Sequence, residues 1–406
     1  MTTPNLRASA PWLSAGLLLT FCSGFGQTYF VAVFAGEWQS AFHLSNGAFG
    51  LLYTVATLAS AAALARVGKL ADRVPIRWLG AGVFAGLAAA ALLTALAPSV
   101  FWLGISLFAL RLFGQGMCTH TAMTAMGRWF NRQRGRAVAI AAIGMPASQA
   151  LMPPLAAAGL AAIGWRATWT WSALLLAAIG IPLLLVLLRH ERHPTRGPAT
   201  NVDDDAGQRH WTRGEVLRSG LFYALLPAVL APPFVITAIF FNQVTLVELR
   251  GWQLAWFTGW FPLLAAVYVV ASLLAGEVLD RIGAGRLLPW FLLPLGIASA
   301  LLGAIPAALV VPVAVAAIGL TQGFASAMLG ALWPEIFGTR HLGSIRSLVA
   351  SAVVLASAIA PGLSGVLLDA GVGLDTQLLA MAAYCVAVSA GMHAVTPRID
   401  GLRQPV

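Results

Sequence analysis

Apolar runs of about twenty residues recur twelve times along this chain, and the short segments between them carry arginine. Twenty residues at 1.5 Å each is the length an α-helix needs to cross about 30 Å of hydrocarbon. The runs fall near 11–34, 46–66, 78–97, 101–126, 137–160 and 167–188, then near 219–242, 254–275, 287–306, 311–333, 346–368 and 376–396. They predict an all-α membrane protein with twelve transmembrane helices. Composition decides against the main alternative: with 59% hydrophobic and 9% charged residues, a soluble enzyme of 406 residues would lack the charge to cover its surface. The first run does not read as a cleaved signal peptide, because it lacks a small-residue cleavage site and eleven runs follow.

The net charge of +10 does not point to nucleic acid, because the basic residues lie in short clusters between apolar runs. Arg66, Lys69, Arg73, Arg77, Arg128, Arg132, Arg134 and Arg136 fall on the same side as both termini if the runs alternate in direction. Only Arg166 and Arg250 fall on the other side. That bias predicts cytoplasmic termini in a multi-pass protein of a bacterial inner membrane. Cys22, Cys118 and Cys385 lie inside apolar runs, which makes them packing residues, not a disulfide or metal framework. No nucleotide-binding G-x-x-x-x-G-K-[ST] occurs, and no cofactor or metal is expected. A nucleophile, base or metal set for an enzyme is also missing from the spans.

A polar stretch divides the chain into an N-terminal half, 1–188, a cytoplasmic linker, 189–218, and a C-terminal half, 219–406. The linker's acid run, Asp203–Asp204–Asp205, reads as solvated. The halves repeat one another. Gln115-Gly116 matches Gln322-Gly323, Phe130 matches Phe337 and Pro154 matches Pro361, each 207 residues on. Gly68-Lys-Leu-Ala-Asp72-Arg73 matches Gly276-Glu-Val-Leu-Asp280-Arg281 at an offset of 208. A duplicated six-helix unit follows.

The G-x-x-x-D-R segments between spans two and three, and again between eight and nine, resemble the signature loops of the major facilitator superfamily. The resemblance covers the whole chain and implies two pseudo-symmetric six-helix halves that rock about a central substrate site. It implies that the loops act as gates: Gly68 and Gly276 permit close helix approach, Asp72 and Asp280 accept from helix N-termini, and Arg73 and Arg281 pair with acids or helix ends. By the same resemblance, each loop braces a span of the opposite half when the cytoplasmic side is shut. A narrower likeness lies in Gly127-Arg-Trp129-Phe130-Asn-Arg132-Gln-Arg134-Gly135-Arg136-Ala137 leading to Pro153-Pro154. It resembles the span-five entry of the monocarboxylate transporter and oxalate–formate antiporter group.

Arg111 is the one charge inside a span, and none of the 14 acids lies near the middle of any span. An arginine at the bilayer centre costs about 2.5–3.5 kcal/mol on insertion scales, so it is expected to face a wet cavity and serve a purpose. An uncompensated guanidinium suits a carboxylate, with which it forms paired hydrogen bonds. Arg111-Leu-Phe-Gly114-Gln-Gly116 also resembles the span-four pattern of family exporters, which leaves a structural or coupling role open. Gln115 shares its helix face with Arg111, and Gln322 is the counterpart in the other half. These amides read as substrate contacts or as interhelical links. Gln27, Tyr29, Gln149, Asn242, Gln243 and Tyr268 carry the same two readings. His120 is half a turn out of phase with Arg111 and reads as a packing or cytoplasmic-side hydrogen-bonding residue. Trp256 and Trp260, one turn apart, read as core packing or a cavity wall, and Pro227, Pro232 and Pro233 are expected to kink or break span seven.

These readings converge on a secondary carrier for a small organic anion, most simply a monocarboxylate, working as a monomer in the lipid bilayer by alternating access. With no intramembrane carboxylate, proton symport and uncoupled exchange both stay open. A drug or metabolite exporter and a neutral-solute porter share the fold and are the rivals.

Overall fold

The computed structural model describes residues 9–130, 133–190 and 210–400. The acid run Asp203–Asp205 and most of the linker lie outside the described residues, as do Arg132 and the side chain of Arg134. The chain divides into two compact units, 1–200 and 201–406.

Every regular element among the described residues is helical. In the first unit, α1 is a broken helix, Ala10–Gly26 and Thr28–Phe42, bent by 47°. It is followed by α2 (Asn46–Val67), α3 (Ile76–Leu96) and α4 (Val100–Trp129). One helical stretch of 53 residues, Gly135–Leu187, comes next. Gly164 interrupts it at φ +75°, a left-handed conformation that glycine adopts without strain. A Cβ on Gly159 would lie 3.0 Å from Thr168 Oγ1, an approach that nine residues of continuous helix, about 13 Å of rise, would forbid. The chain therefore folds back at Gly164 into two spans, α5 before it and α6 after it.

In the second unit, α7 (Gly220–Phe241) continues past Asn242 into Gln243–Arg250. Then come α8 (Leu254–Ile282), the short α9 (Leu293–Ala304), α10 (Val310–Phe337), α11 (Leu342–Asp369) and α12 (Leu374–Asp400). Among the described residues, nine stretches are individually long and apolar enough to cross a membrane, and the broken α1 makes ten. The reversal at Gly164 divides one of those stretches in two, and α9 is a shorter apolar helix of 12 residues at the place of the ninth apolar run, so the helices follow the twelve runs of the sequence. Leu273, Leu309 and Phe101 are 71%, 77% and 69% exposed. A soluble surface would not carry such side chains in belts, and hydrocarbon accepts them without loss.

The repeat read from sequence persists in three dimensions. Gly164 and Gly371, 207 residues apart, both take positive φ, at the α5–α6 and α11–α12 turns. A Cβ on Gly116 would meet Leu64, and a Cβ on Gly323 would meet Ala271, again matched positions. Two expectations need correction. Pro227, Pro232 and Pro233 lie inside α7 without ending it; the interruption comes at Asn242, so neighbouring packing holds the helix through the lost hydrogen bonds. The break falls instead in α1, which has no proline there. Trp256 is 39% exposed and donates from Nε1 to Ala308 O, 3.2 Å away, so it is not a core residue.

Candidate functional site

The break in α1 is made by contact with α4. Residues Ser23–Gly26 tighten into a 3-10 turn, Gln27 is extended (φ −85°, ψ 150°), and the helix resumes at Thr28. A Cβ on Gly26 would sit 2.1 Å from Leu110 O, and one on Gly114 would sit 2.7 Å from Gly26 Cα. Two glycine backbones thus cross in direct contact. At this crossing α4 widens into a π-helical stretch, Leu110–Cys118, a form that concentrates at functional sites.

Arg111 lies in that stretch. It is 2% exposed and is the one charged side chain among the fully buried described residues. Its Nη1 donates to Gly26 O at 3.0 Å and reaches Thr28 Oγ1 at 3.4 Å. Gly26 O is a carbonyl at the C-terminal end of a half-helix, where a cation is favoured by the helix dipole. The guanidinium carbon stands 5.2 Å from the centroid of the Tyr53 ring on α2, and Tyr53 OH and Thr28 Oγ1 hydrogen-bond at 2.9 Å. Among the described residues Nη1 makes the hydrogen bonds of this group and Nη2 donates to no atom; Nε is sealed from water and has no acceptor. Nε–H and Nη2–H project along one edge of the planar group, the fork that matches two carboxylate oxygens.

The other N-terminal candidates gather around this point. Gln27 is the extended residue of the break itself and is half-buried. Gln115, also half-buried, follows Arg111 on the same π-helical stretch, and its backbone N lies 2.7 Å from where a Gly26 Cβ would be. Tyr29 OH and Ser148 Oγ on α5 hydrogen-bond at 2.6 Å, and Gln149 beside Ser148 is buried. Thr28, Tyr53 and Ser148 were not singled out from sequence, since hydroxyls in apolar spans are common and only their convergence marks them.

In the second unit the candidates are more dispersed. Asn242 Nδ2 donates to Ala238 O at 2.9 Å and to Ser364 Oγ at 2.8 Å; Ser364 Oγ donates in turn to Gln377 Oε1 at 2.6 Å. Gln377 Nε2 closes the set on Ser364 O and Val372 O. Asn242 therefore ties α7 to α11 and α12. Gln243 beside it is fully buried. Tyr268 on α8 neighbours Ser326 on α10, whose hydroxyl donates to Gly323 O at 2.8 Å. Gln322 is half-buried, with Oε1 sealed from water and no donor facing it. Among the described residues no group of three or more metal-ligating side chains comes together.

Each signature loop is anchored within its own unit. A Cβ on Gly68 would meet Leu64 O at 2.8 Å, and Gly68 O bonds His120 Nε2 at 3.1 Å, so His120 is a hydrogen-bonding residue of this loop. Asp72 pairs with Arg128 of α4, which also donates to Ala71 O. Arg73 is exposed. In the second loop a Cβ on Gly276 would meet nothing within 4 Å, so close packing in this unit does not demand that glycine. Asp280 and Arg281 are exposed, and the loop is held instead by Glu335 of α10, whose Oε2 accepts from Ala284 N at 3.1 Å. Arg128 and Glu335 occupy matched positions of the repeat with opposite charge.

Twelve spans in two repeated units, with a desolvated cation at a broken helix, define a membrane carrier of the two-half type. Residues 16–361 match the Major Facilitator Superfamily, most of the chain, and the protein belongs to that family. It is a secondary transporter of the alternating-access class and not an enzyme. Among solved structures it is similar to a bacterial homologue of the human lysosomal transporter Spinster. The inward-facing unoccupied form gives 17% identity and a TM-score of 0.73, and the inward-facing occupied form 18% and 0.74; each comparison covers 100% of both chains. At that identity the likeness concerns fold alone. No curated protein sequence matches the chain.

Proposed function

We propose that the protein carries a small organic anion, most simply a monocarboxylate, and that Arg111 is its cationic contact. The observation that carries this reading is the unused Nε–Nη2 edge on a buried guanidinium with no carboxylate partner. A buried donor left without an acceptor costs about 1–3 kcal/mol, so a dry Nε beside an unengaged Nη2 is best explained by an acceptor that arrives during the cycle. Gln27 and Gln115 are the proposed polar contacts on α1 and α4, and Tyr29 and Gln149 those on α1 and α5. Gln322, Tyr268, Asn242 and Gln243 are the proposed contributions of the other half. Gly68, Asp72 and Arg73, with Gly276, Asp280 and Arg281, are the proposed gates. The finer kinship to the monocarboxylate and oxalate–formate group rests on residues 127–137. The proposed cytoplasmic placement of both termini, in a bacterial inner membrane, rests on the arginine bias.

A specific observation supports a rival. Nη1 is engaged by Gly26 O, as a purely structural arginine would be, and a neutral-solute porter would then use the amides alone. Thermal-shift and liposome-flux measurements against monocarboxylates, neutral sugars and lipophilic cations, on wild type, Arg111→Lys and Arg111→Gln, separate the two. Anion-selective stabilisation and flux that Arg111→Lys weakens and Arg111→Gln removes support the anion carrier. Flux of neutral solutes that is indifferent to both substitutions, in variants that keep the unliganded melting temperature, overturns it.

A further inference from the structure

A cavity of about 490 Å3 lies wholly inside the second unit, walled by α7, α11 and α12. That volume falls within the roughly 300–1,000 Å3 of small-molecule sites. Its deep wall is formed by Leu230, Phe234, Ala356 and Met381, and its lining contains no charged residue. At the level of the cavity α7 carries Pro232 and Pro233 and α11 carries Pro361, residues that loosen a helix where they occur.

The polar residues of the lining are unevenly placed. Ser364, Thr376 and Gln377 sit at the end nearest the α11–α12 turn, and the opposite end is apolar apart from the Tyr384 hydroxyl, which donates to Pro227 O. At the polar end, Ser364 and Gln377 already bond to each other, and Ser364 also accepts from Asn242. Buried water needs two to four polar partners, and the deep wall supplies none, so the space is built for hydrocarbon. From Leu367 to Ala356 the α11 wall spans eleven residues, about 16 Å of rise, which is close to half of a hydrocarbon core about 30 Å thick. Leu363 toward the polar end and Tyr384 toward the apolar end are 46% and 44% exposed, so the cavity opens along its length.

We infer that this cavity holds one acyl chain of a bilayer phospholipid, inserted from the membrane surface at the α11–α12 turn toward mid-bilayer. The depth matches one leaflet, and the polar-to-apolar gradient runs in the sense a lipid chain would take. With no cation or anion in the lining, the site recognises the chain and not the headgroup. It shares no residue with the Arg111 cluster and does not depend on the identity of the transported solute.

The test uses full-length protein, delipidated in detergent and returned to phosphatidylglycerol or phosphatidylethanolamine carrying identical long chains, and to short-chain versions of each. Native mass spectrometry counts retained lipid and thermal denaturation reads the stabilisation. Ala380→Phe and Ala356→Phe fill the cavity; Ala266→Phe, in a shallower apolar groove on α8, is the control. The expected result is one retained long-chain phospholipid and a rise in Tm that depends on chain length and not on headgroup. Both should be lost in either filled variant and kept in Ala266→Phe. The milder Ala380→Leu, should the larger residue prevent folding, is expected to reduce retention in part. Equal retention and an equal lipid-dependent shift in the filled variants, or a shift that follows the headgroup, overturns the assignment.

Discussion

The two halves share one plan and use it differently. Gly26, Thr28, Tyr53 and Arg111 meet in the first half, and the positions 207 residues on hold Pro233, Val235, Trp260 and Ile318. Every member of the cation cluster is absent from the second half. There the buried polar groups Asn242, Ser364 and Gln377 satisfy one another, and α7 runs unbroken to Phe241. In the first half α1 is broken and a guanidinium retains open donors. A duplicated scaffold thus keeps its helix–helix contacts, as at Gly116 and Gly323, and assigns its polar work asymmetrically. Saturated networks fix a structure; an unsaturated one is available to a ligand.

The largest effect should come from breaking the crossing that the second half lacks. Gly26→Ala drives a Cβ into Leu110 O, and backbone cannot yield as a side chain could, so folded yield in membranes should collapse. Retention of normal yield and Tm would mean that α1 and α4 do not cross as closely as described. Arg111→Gln is next: anion flux should fall by a factor on the order of 10² if a paired, desolvated contact worth about 3 kcal/mol is lost. Ile318→Gln, at the matched site, should leave anion selectivity unchanged. Equal anion-selectivity losses at the two positions would dissolve the asymmetry.

Smaller effects sharpen the contrast. Asn242→Ala removes the donor that ties α7 to Ser364 Oγ, which keeps its bond to Gln377, and should destabilise the protein by about 1–3 kcal/mol, read as a lower Tm. Asp72→Asn removes an ion pair whose aspartate is 69% exposed, so its stability change should stay below about 1 kcal/mol. Gly276→Ala should fall within about 0.5 kcal/mol of wild type, whereas Gly68→Ala, which meets Leu64 O, should cost more.

Much of the fold was legible because its signals are one-dimensional. The length of an apolar run reports a span, and a fixed offset between motifs reports duplication. Arg111 stood out for the same reason, as a charge where solvation forbids one without a purpose. What was not legible depends on a second chain segment. Three prolines in α7 suggested a break that packing overrides, and the true break at Gln27 arises where Gly26 meets Gly114. Nothing in the local sequence of Thr28, Tyr53 or Ser148 sets them apart from other hydroxyls in apolar helices. Their significance lies in meeting Arg111 or Tyr29.

By itself, then, the sequence determined that this protein is a twelve-span duplicated carrier with one desolvated cation, because hydrophobic length and charge are properties each segment carries alone. Tertiary structure decided which edge of that cation is occupied, where the first helix breaks, and that three helices of the second half enclose an apolar cavity. Those features depend on which backbone carbonyl or side chain stands within about 3 Å of another. Only the packed chain sets such distances.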